Sequence, residues 1–458
     1  MRIAYLTGEY PRVTDTFIQR EVSALRRLGA TVKTFSVRSP RSPQALSTAQ
    51  QAEREKTYYL LPPNLVGLLA AHIGLCFKHP KQYLQTLTLA WRTRQKGLKG
   101  SLYQLVYFIE AGLLAYQLIR QNITHLHNHF GDSSGTVAML AAAFSGVEYS
   151  FTLHGPAIFF EPYRWRIDEK IRRAKFVSCI SYFCRSQAMV FAPVEAWPRL
   201  HIVHCGVSPE TFEVDKELPS EASSTPWVKS EQTGDIQADC AQPCEGRRLL
   251  FVGRLAAAKG LPILLRSLQM LKQRQPDIHL TVVGDGPDRQ LLHQQAEELD
   301  LISNISFVGA QSPVAVRTYL KKADVFVMSS FAEGVPVVLM EAMMTGLPVV
   351  ATRIAGVGEL VEEGKSGFLV SPSDPTALAE RIQMLLADAA LRGRMGKYGQ
   401  QTVRQSFNID IEAAKLYQLI TAQTDDLSNK SRQKPYDLDN PSNPLEAANA
   451  TTASALMS

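Results

Sequence analysis

Leu250-Phe251-Val252-Gly253-Arg254, with Lys259-Gly260 and Leu261-Pro262-Ile263-Leu264-Leu265 close behind, is the stretch that decides the fold. An unbroken apolar segment ended by a glycine reads as a buried strand entering a loop, and the leucines that follow recur at helical spacing. Outward from there the same rhythm repeats. Segments 278–283, 305–308, 324–328 and 348–351 read as strands, with helices expected at 261–273, 288–299, 313–321 and 336–345. Toward the N-terminus, 3–7 and 31–37 read as strands around a helix at 14–28. That helix carries Phe17, Ile18, Val22, Leu25 and Leu28 on one side and stops at Gly29. Further strands are expected at 123–127, 149–153, 176–180 and 200–203. Strands interleaved with helices predict parallel sheets covered on both faces. The fold class is therefore α/β, with two doubly wound Rossmann-like domains facing across a cleft.

At 458 residues the chain exceeds what one hydrophobic core serves. The pattern divides it into an N-terminal domain over 1–212, a flexible acidic linker over 213–247 and a C-terminal domain over 248–408. A helix over 409–423 is expected to cross back toward the N-terminal domain, ahead of a disordered tail over 424–458. Asp215 to Gly246 holds seven acidic residues and two lysines among Ser, Thr, Pro and Gln, too little apolar surface to order itself. Residues 64–120 are helical in pattern. Leu65 to Cys76 is almost wholly apolar and is read as a core helix in preference to an interfacial membrane helix. No run is expected to span a bilayer.

An apolar share of 45% with 20% charged residues describes an ordinary globular protein. None of the six cysteines stands in a CxxC pair, and Cys240 and Cys244 lack a nearby histidine at zinc spacing, which points to a reducing cytosol. Met1-Arg2-Ile3-Ala4-Tyr5-Leu6 reads as a strand and lacks the features of a signal peptide. The net charge of +6 is unevenly spread: residues 1–210 carry 25 basic and 13 acidic side chains, the remainder 24 and 30. A basic half suits an anionic membrane surface or an anionic acceptor, and equally a solvated face with no partner. The cations are scattered and no nucleic-acid-reading module is visible, so nucleic acid is not an expected partner.

Three motifs carry chemistry. Glu333-Gly334-Val335-Pro336-Val337 runs into a helix that contains Glu341, with Pro336 placed where a first helical residue tolerates it. Two carboxylates bracketing a helix N-terminus can hold sugar and ribose hydroxyls while the free amides face a phosphate; the plainer reading is a charge pair favoured by the helix dipole. Arg254 and Lys259 follow a parallel strand at its carboxyl end, where such sheets bind ligands, and could stabilise a departing diphosphate without a metal. His154-Gly155-Pro156 ends a strand of the other domain; the histidine either faces a sugar across the cleft or simply bonds backbone. His125, His127 and His129 alternate along one strand, but no acidic or cysteine ligand keeps their spacing, so no metal is expected there. Gly284-Asp285-Gly286-Pro287 reads as a structural strand-to-helix turn. Asp437-Leu438-Asp439 lies in the tail with no core around it.

The set Gly253-Arg254…Lys259-Gly260, Gly284-Asp285-Gly286-Pro287, Phe307-Val308-Gly309 and Glu333-x7-Glu341 resembles the retaining glycosyltransferases of family 4, also called glycosyl transferases group 1, which have the GT-B fold. Glu9-Tyr10-Pro11…Asp15-Thr16-Phe17-Ile18…Arg20-Glu21-Val22 and His127-Asn128-His129-Phe130-Gly131 resemble a narrower group that makes colanic acid and other exopolysaccharides. The resemblance implies that Arg254 and Lys259 bind the donor diphosphate and that Glu341 holds the ribose. It implies that Glu333 lies near the reacting sugar carbon, that His154 meets the sugar hydroxyls, and that Val308 and Gly309 lie near the base. The family's paired-glycine loop is here Thr7-Gly8-Glu9, which leaves Gly8 as a phosphate or acceptor contact. Where relatives carry Phe-Pro and a small polar residue, this chain has Val335-Pro336-Val337, which preserves backbone recognition by Gly334, Val335 and Val337 but removes a side-chain contact at 337.

The implied activity is a metal-independent, retaining hexosyltransferase that uses a nucleotide-sugar donor and a glycan or polyprenyl-diphosphate-linked acceptor, without a cofactor. The expected location is cytoplasmic, peripheral on the inner membrane face. The alternatives are a nucleotide-sugar epimerase or phosphorylase on the same scaffold, or a catalytically inactive nucleotide-sugar-binding subunit.

Overall fold

The computed structural model describes residues 1–12, 14–41, 46–213 and 246–423. The expected linker and tail, with Cys240, Cys244 and Asp437-Leu438-Asp439, fall on residues outside those described, apart from a few at the segment ends. Met1–Ile420 form one unit, and of the second, Thr421–Ser458, only 421–423 are described.

The first sheet contains β1 (Arg2–Glu9), β2 (Thr31–Arg38), β3 (Tyr58–Tyr59), β4 (His125–His129), β5 (Glu148–Leu153), β6 (Val177–Cys179) and β7 (Leu200–Ile202), in the order β3-β2-β1-β4-β5-β6-β7. The second contains β8 (Arg248–Val252), β9 (His279–Val283), β10 (Ile305–Gly309), β11 (Val325–Met328), β12 (Val349–Thr352) and β13 (Gly367–Val370), in the order β10-β9-β8-β11-β12-β13. Every pairing is parallel. In each sheet the chain adds strands on one side of the first, then crosses to its other side. The crossing leaves a switch point between β1 and β4 and another between β8 and β11. Loops leaving the carboxyl ends of such a strand pair diverge, and the crevice between them is where the fold takes a ligand.

Burial on both faces explains the apolar runs in β8, β9, β11 and β12. The helix Leu261–Lys272 lays Leu261, Leu264, Leu265, Leu268 and Leu271 against the second sheet. The last helix, Ile409–Thr421, buries Ile409, Ala413, Leu416 and Ile420 among Ile3 and Tyr5 of the first sheet and Ile18 and Val22 of the helix Thr16–Arg27. Backbone bonds from Val207 to Phe407 O (2.9 Å) and from Ile409 to Val207 O (3.0 Å) anchor its start. β4 begins two residues later than the sequence suggests, because Asn122 at φ 51° prolongs the preceding turn. β3 and β13 were not expected: the first is only two residues long, and the second opens with a glycine.

The core-helix expectation for Leu65 to Cys76 is overturned. In the helix Leu65–Lys78 only Ala71 and Leu75 are buried, while Phe77 is 82% exposed. The helix is held along a narrow line through His72, whose ring bonds the Tyr83 hydroxyl and Ile109 O, both at 3.1 Å. Contrary to expectation, one helix, Leu98–Arg120, is long and apolar enough to cross a bilayer by composition; its second half instead packs into the protein through Ala111, Leu114, Ala115 and Leu118.

Candidate active site

At the second switch point the Gly253 amide extends the ladder to Val283 O at 2.9 Å and delivers an exposed Arg254 to the carboxyl edge. Among the described residues Arg254 makes no hydrogen bond or ion pair. The turn Ala257–Lys259 ends at Gly260, which is left-handed at φ 62°. A side chain at 260 would meet the Ser329 carbonyl at 2.1 Å, so glycine is what lets this loop seat on the one leaving β11. The Phe331 amide donates to Ala258 O at 2.8 Å and the Ser329 hydroxyl to Gly260 O at 3.0 Å. The seating brings Lys259 Nζ to 2.5 Å from Glu333 Oε1, which also accepts from the Ser330 hydroxyl at 2.7 Å. The two charges offset each other, and a diphosphate would compete with Glu333 for the ammonium.

The helix Val337–Met344 follows. Pro336 stands one place earlier than expected, as the extended residue capping the helix (ψ 121°), because its carbonyl already accepts from the Leu339 and Met340 amides at 3.1 and 3.3 Å. The Val337 and Val338 amides donate to no group among the described residues. They are the open donors that a helix start offers an anion. Val335 is buried, its side chain turned onto Gly356, so only its backbone is available to a ligand. Glu341 lies one turn into the helix, with Oε1 2.5 Å from Nη2 of Arg20, on the helix Thr16–Arg27 beside the first sheet.

The first sheet meets this loop backbone to backbone. A Cβ built on Gly334 would lie 2.2 Å from the His154 carbonyl, and one on Gly155 (φ 142°) 2.9 Å from Gly334 Cα. His154 therefore sits across from Glu333-Gly334. Behind it runs a buried chain of hydrogen bonds. The Tyr5 hydroxyl donates to Glu21 Oε1 at 2.6 Å, His129 Nε2 lies 3.1 Å from the same oxygen, and His129 Nδ1 lies 2.7 Å from His154 Nε2. Burial pushes the Tyr5 hydroxyl up, so it stays a donor, and pulls His129 down to about 3 and His154 well below its ordinary value, so both rings are neutral. With His129 Nε2–H given to Glu21, its Nδ1 must accept, and His154 Nε2–H must donate to it. His154 Nδ1 is left as an acceptor, facing only the Cys205 thiol at 3.6 Å.

All three alternating histidines are fully buried on one face of β4. The structure adds the acidic group that the sequence spacing lacks: candidate ligand atoms of Glu21, His127 and His129 lie within 4.8 Å of one another. These atoms are already engaged, however. The His127 nitrogens bond Ser150 and Thr152 at 2.8 and 2.9 Å, and His129 spends both of its own on Glu21 and His154. A metal at this cluster would have to displace those hydrogen bonds.

Residues 235–402 match the family model described as glycosyl transferases group 1. Residues 235–402 belong to the glycosyl transferases group 1. The chain is 38% identical over 35% of its length to D-inositol 3-phosphate glycosyltransferase of Corynebacterium urealyticum, covering 39% of that protein. It is 32% identical over 39% of its length to the putative colanic acid biosynthesis glycosyltransferase WcaL of Escherichia coli, covering 46% of that protein. The chain thus spans less than half the length of these relatives. The crystal structure of Anabaena Alr3699/HepE in complex with UDP superposes on 92% of this chain and all of that one, with a TM-score of 0.67 at 16% identity. The architecture is GT-B.

Within the group 1 segment, Gly253, Arg254, Lys259, Glu333, Gly334 and Val335 lie on the loops of one switch point, and Val337 and Glu341 on the helix that follows. Val308 and Gly309 end β10, two strands away along the same edge, and among the described residues make no hydrogen bond to that group. Gly8 lies inside β1 rather than in the loop beyond it, and a Cβ on it would meet nothing within 4 Å. Arg20, Glu21 and Cys205 were missed as site residues. Glu21 had a readable signal: it falls on the buried stripe of Ile18, Val22 and Leu25, where a carboxylate needs a partner. Arg20 stood in the Arg20-Glu21-Val22 motif, but its partner Glu341 comes from a distant segment, and Cys205 had no signal at all.

Proposed function

We propose that the chain transfers a sugar from a nucleoside-diphosphate donor to an exopolysaccharide-type glycan acceptor carried on a polyprenyl diphosphate, with retention at the anomeric carbon. One observation carries this reading: Lys259, Glu333, Glu341 and an open helix start share one switch point and face His154, just past β5, and Arg20, on the helix Thr16–Arg27. Arg254 is free to bind the diphosphate, and Lys259 turns to it from Glu333 as negative charge develops on the leaving oxygen. The Val337 and Val338 amides add donors to the same anion, so no metal is required. Glu341 holds the ribose and Glu333, released by Lys259, orients the donor sugar. His154, held neutral, keeps Nδ1 as an acceptor, and a sugar hydroxyl that donates to it would displace the Cys205 thiol. The acceptor oxygen attacks the face the phosphate leaves, through an oxocarbenium-like state, and the leaving phosphate takes its proton. Relatives named for colanic acid and amylovoran biosynthesis support the acceptor class, and neighbours bound to UDP and UDP-glucose support a nucleotide-sugar donor.

A thermal-shift screen of UDP-, GDP- and ADP-sugars identifies the donor, since a bound ligand raises stability by mass action. With that donor, Lys259→Ala and Glu333→Ala should each lower turnover about 10²–10³-fold while unfolding midpoints hold. Near-normal turnover in both variants ends the assignment.

A further inference from the structure

The helices Leu65–Lys78, Pro80–Thr93 and Leu98–Arg120 pack against one another, and each leaves an apolar stripe in water. On the first, Val66, Leu69, Ile73 and Phe77 recur every three or four residues and all are exposed. The second shows Leu84, Leu87 and Trp91 at the same spacing, and the third Leu98, Leu102 and Leu105. Isolated exposed apolar side chains are ordinary; three matched stripes on neighbouring helices are not.

The charges in this segment are of one sign. From Thr57 to Ile109 there is no aspartate or glutamate, whereas Lys78, Lys81, Arg92, Arg94, Lys96 and Lys99 cluster around the two inter-helix joints. Trp91 lies under the Arg94 guanidinium, 3.7 Å from its ring centroid, an aromatic and a cation paired at the border between apolar and polar surface. An apolar face rimmed by cations complements an anionic bilayer, whose headgroups take the cations while the apolar side chains enter the acyl boundary. A second copy is disfavoured, because docking two such faces sets one cationic rim against another.

The face is joined to the cleft. The segment that leaves His154-Gly155 folds over the joint between the second and third helices: Arg166 Nη1 donates to Arg92 O at 3.3 Å and Gln95 Nε2 to Arg164 O at 3.4 Å. Phe160 and Tyr163 of that segment are themselves exposed. We propose that these three helices are a docking face for an anionic lipid surface, which sets the His154 side of the cleft beside the bilayer. The inference is independent of the transferase reading, because lipid docking is measurable without turnover.

The test is flotation of the full chain with phosphatidylcholine vesicles, with and without phosphatidylglycerol. The protein should float with the anionic vesicles only, and less in high salt. Each lysine at the surface contributes roughly fivefold to partitioning, so Lys78→Gln with Lys81→Gln and Lys96→Gln should lower it on the order of a hundredfold. Ile73→Ser with Phe77→Ser should abolish it. These side chains point outward, so unfolding midpoints should not move; if the apolar pair unfolds the chain, the lysine set still decides. Equal flotation of wild type and lysine variant overturns the proposal, as does a dimer in solution that Ile73→Ser with Phe77→Ser dissolves.

Discussion

Gly334→Ala adds a single methyl group, and the structure states where it goes. The new carbon would stand 2.2 Å from the His154 carbonyl and 2.9 Å from Ile180 Cδ1, whereas ordinary contact begins near 3.4 Å. The isoleucine end can swing aside, but the carbonyl is backbone, one residue past the end of β5. The two loops must therefore part by about 1.2 Å. Neither sheet loses core, so the cost falls on the alignment of Glu333 with His154. A displacement of about 1 Å at reacting groups costs roughly 10²-fold in rate, equivalent to about 2.7 kcal/mol of barrier. The measurement is kcat and kcat/KM with the donor found by thermal shift, beside an unfolding curve. We expect kcat to fall about a hundredfold and the midpoint to move little. A rate within a few-fold of wild type would show that the loops do not need this contact for chemistry.

Gly8→Ala is the contrasting case: its methyl meets open space, so stability should hold, and any loss should appear as weaker binding of donor or acceptor in titration calorimetry. Arg20→Met removes the cation beside Glu341, a pair only 20% and 17% exposed, and should weaken nucleotide binding about tenfold. The double variant with Glu341→Gln should bind no worse than either single one, and additive losses would separate the two residues. Acid should destabilise the chain through β4. Burial pulls His127 and His129 down to about 3, so below about pH 6.5 the unfolded chain binds protons that the native state refuses. Their contribution is complete above that value and is lost as pH falls. By about pH 5 the loss is roughly 2 kcal/mol for each ring, read as a lower urea midpoint than at about pH 7.5. An unchanged midpoint would mean that these rings are protonated in the native state.

Much of this was legible beforehand for physical reasons. Leu249 to Val252, Leu280 to Val283 and Val325 to Met328 are apolar runs because parallel strands are covered twice, and that signal is local. Pro336 and Gly260 mark a helix start and a left-handed turn by their own chemistry. What stayed hidden depends on contacts across hundreds of residues, such as Arg20 with Glu341 or Cys205 with His154. The helix at 65–78 misled for a different reason. An apolar run states that a face avoids water, not whether protein covers it.

The return of the last helix to the first sheet makes the first half depend on the end of the chain. The chain passes from the first sheet to the second after Phe212 and comes back through Asn408, where Val207 and Ile409 clasp. The described crossing is the return at Asn408, where the pairing of Val207 with Asn408 and Ile409 ties the last helix to the first half. Cutting the protein before Ile409 would not yield a trimmed enzyme with its first half intact. It would strip Ile409, Ala413, Leu416 and Ile420 from beneath β1 and bare the wall on which Tyr5 and Glu21 stand.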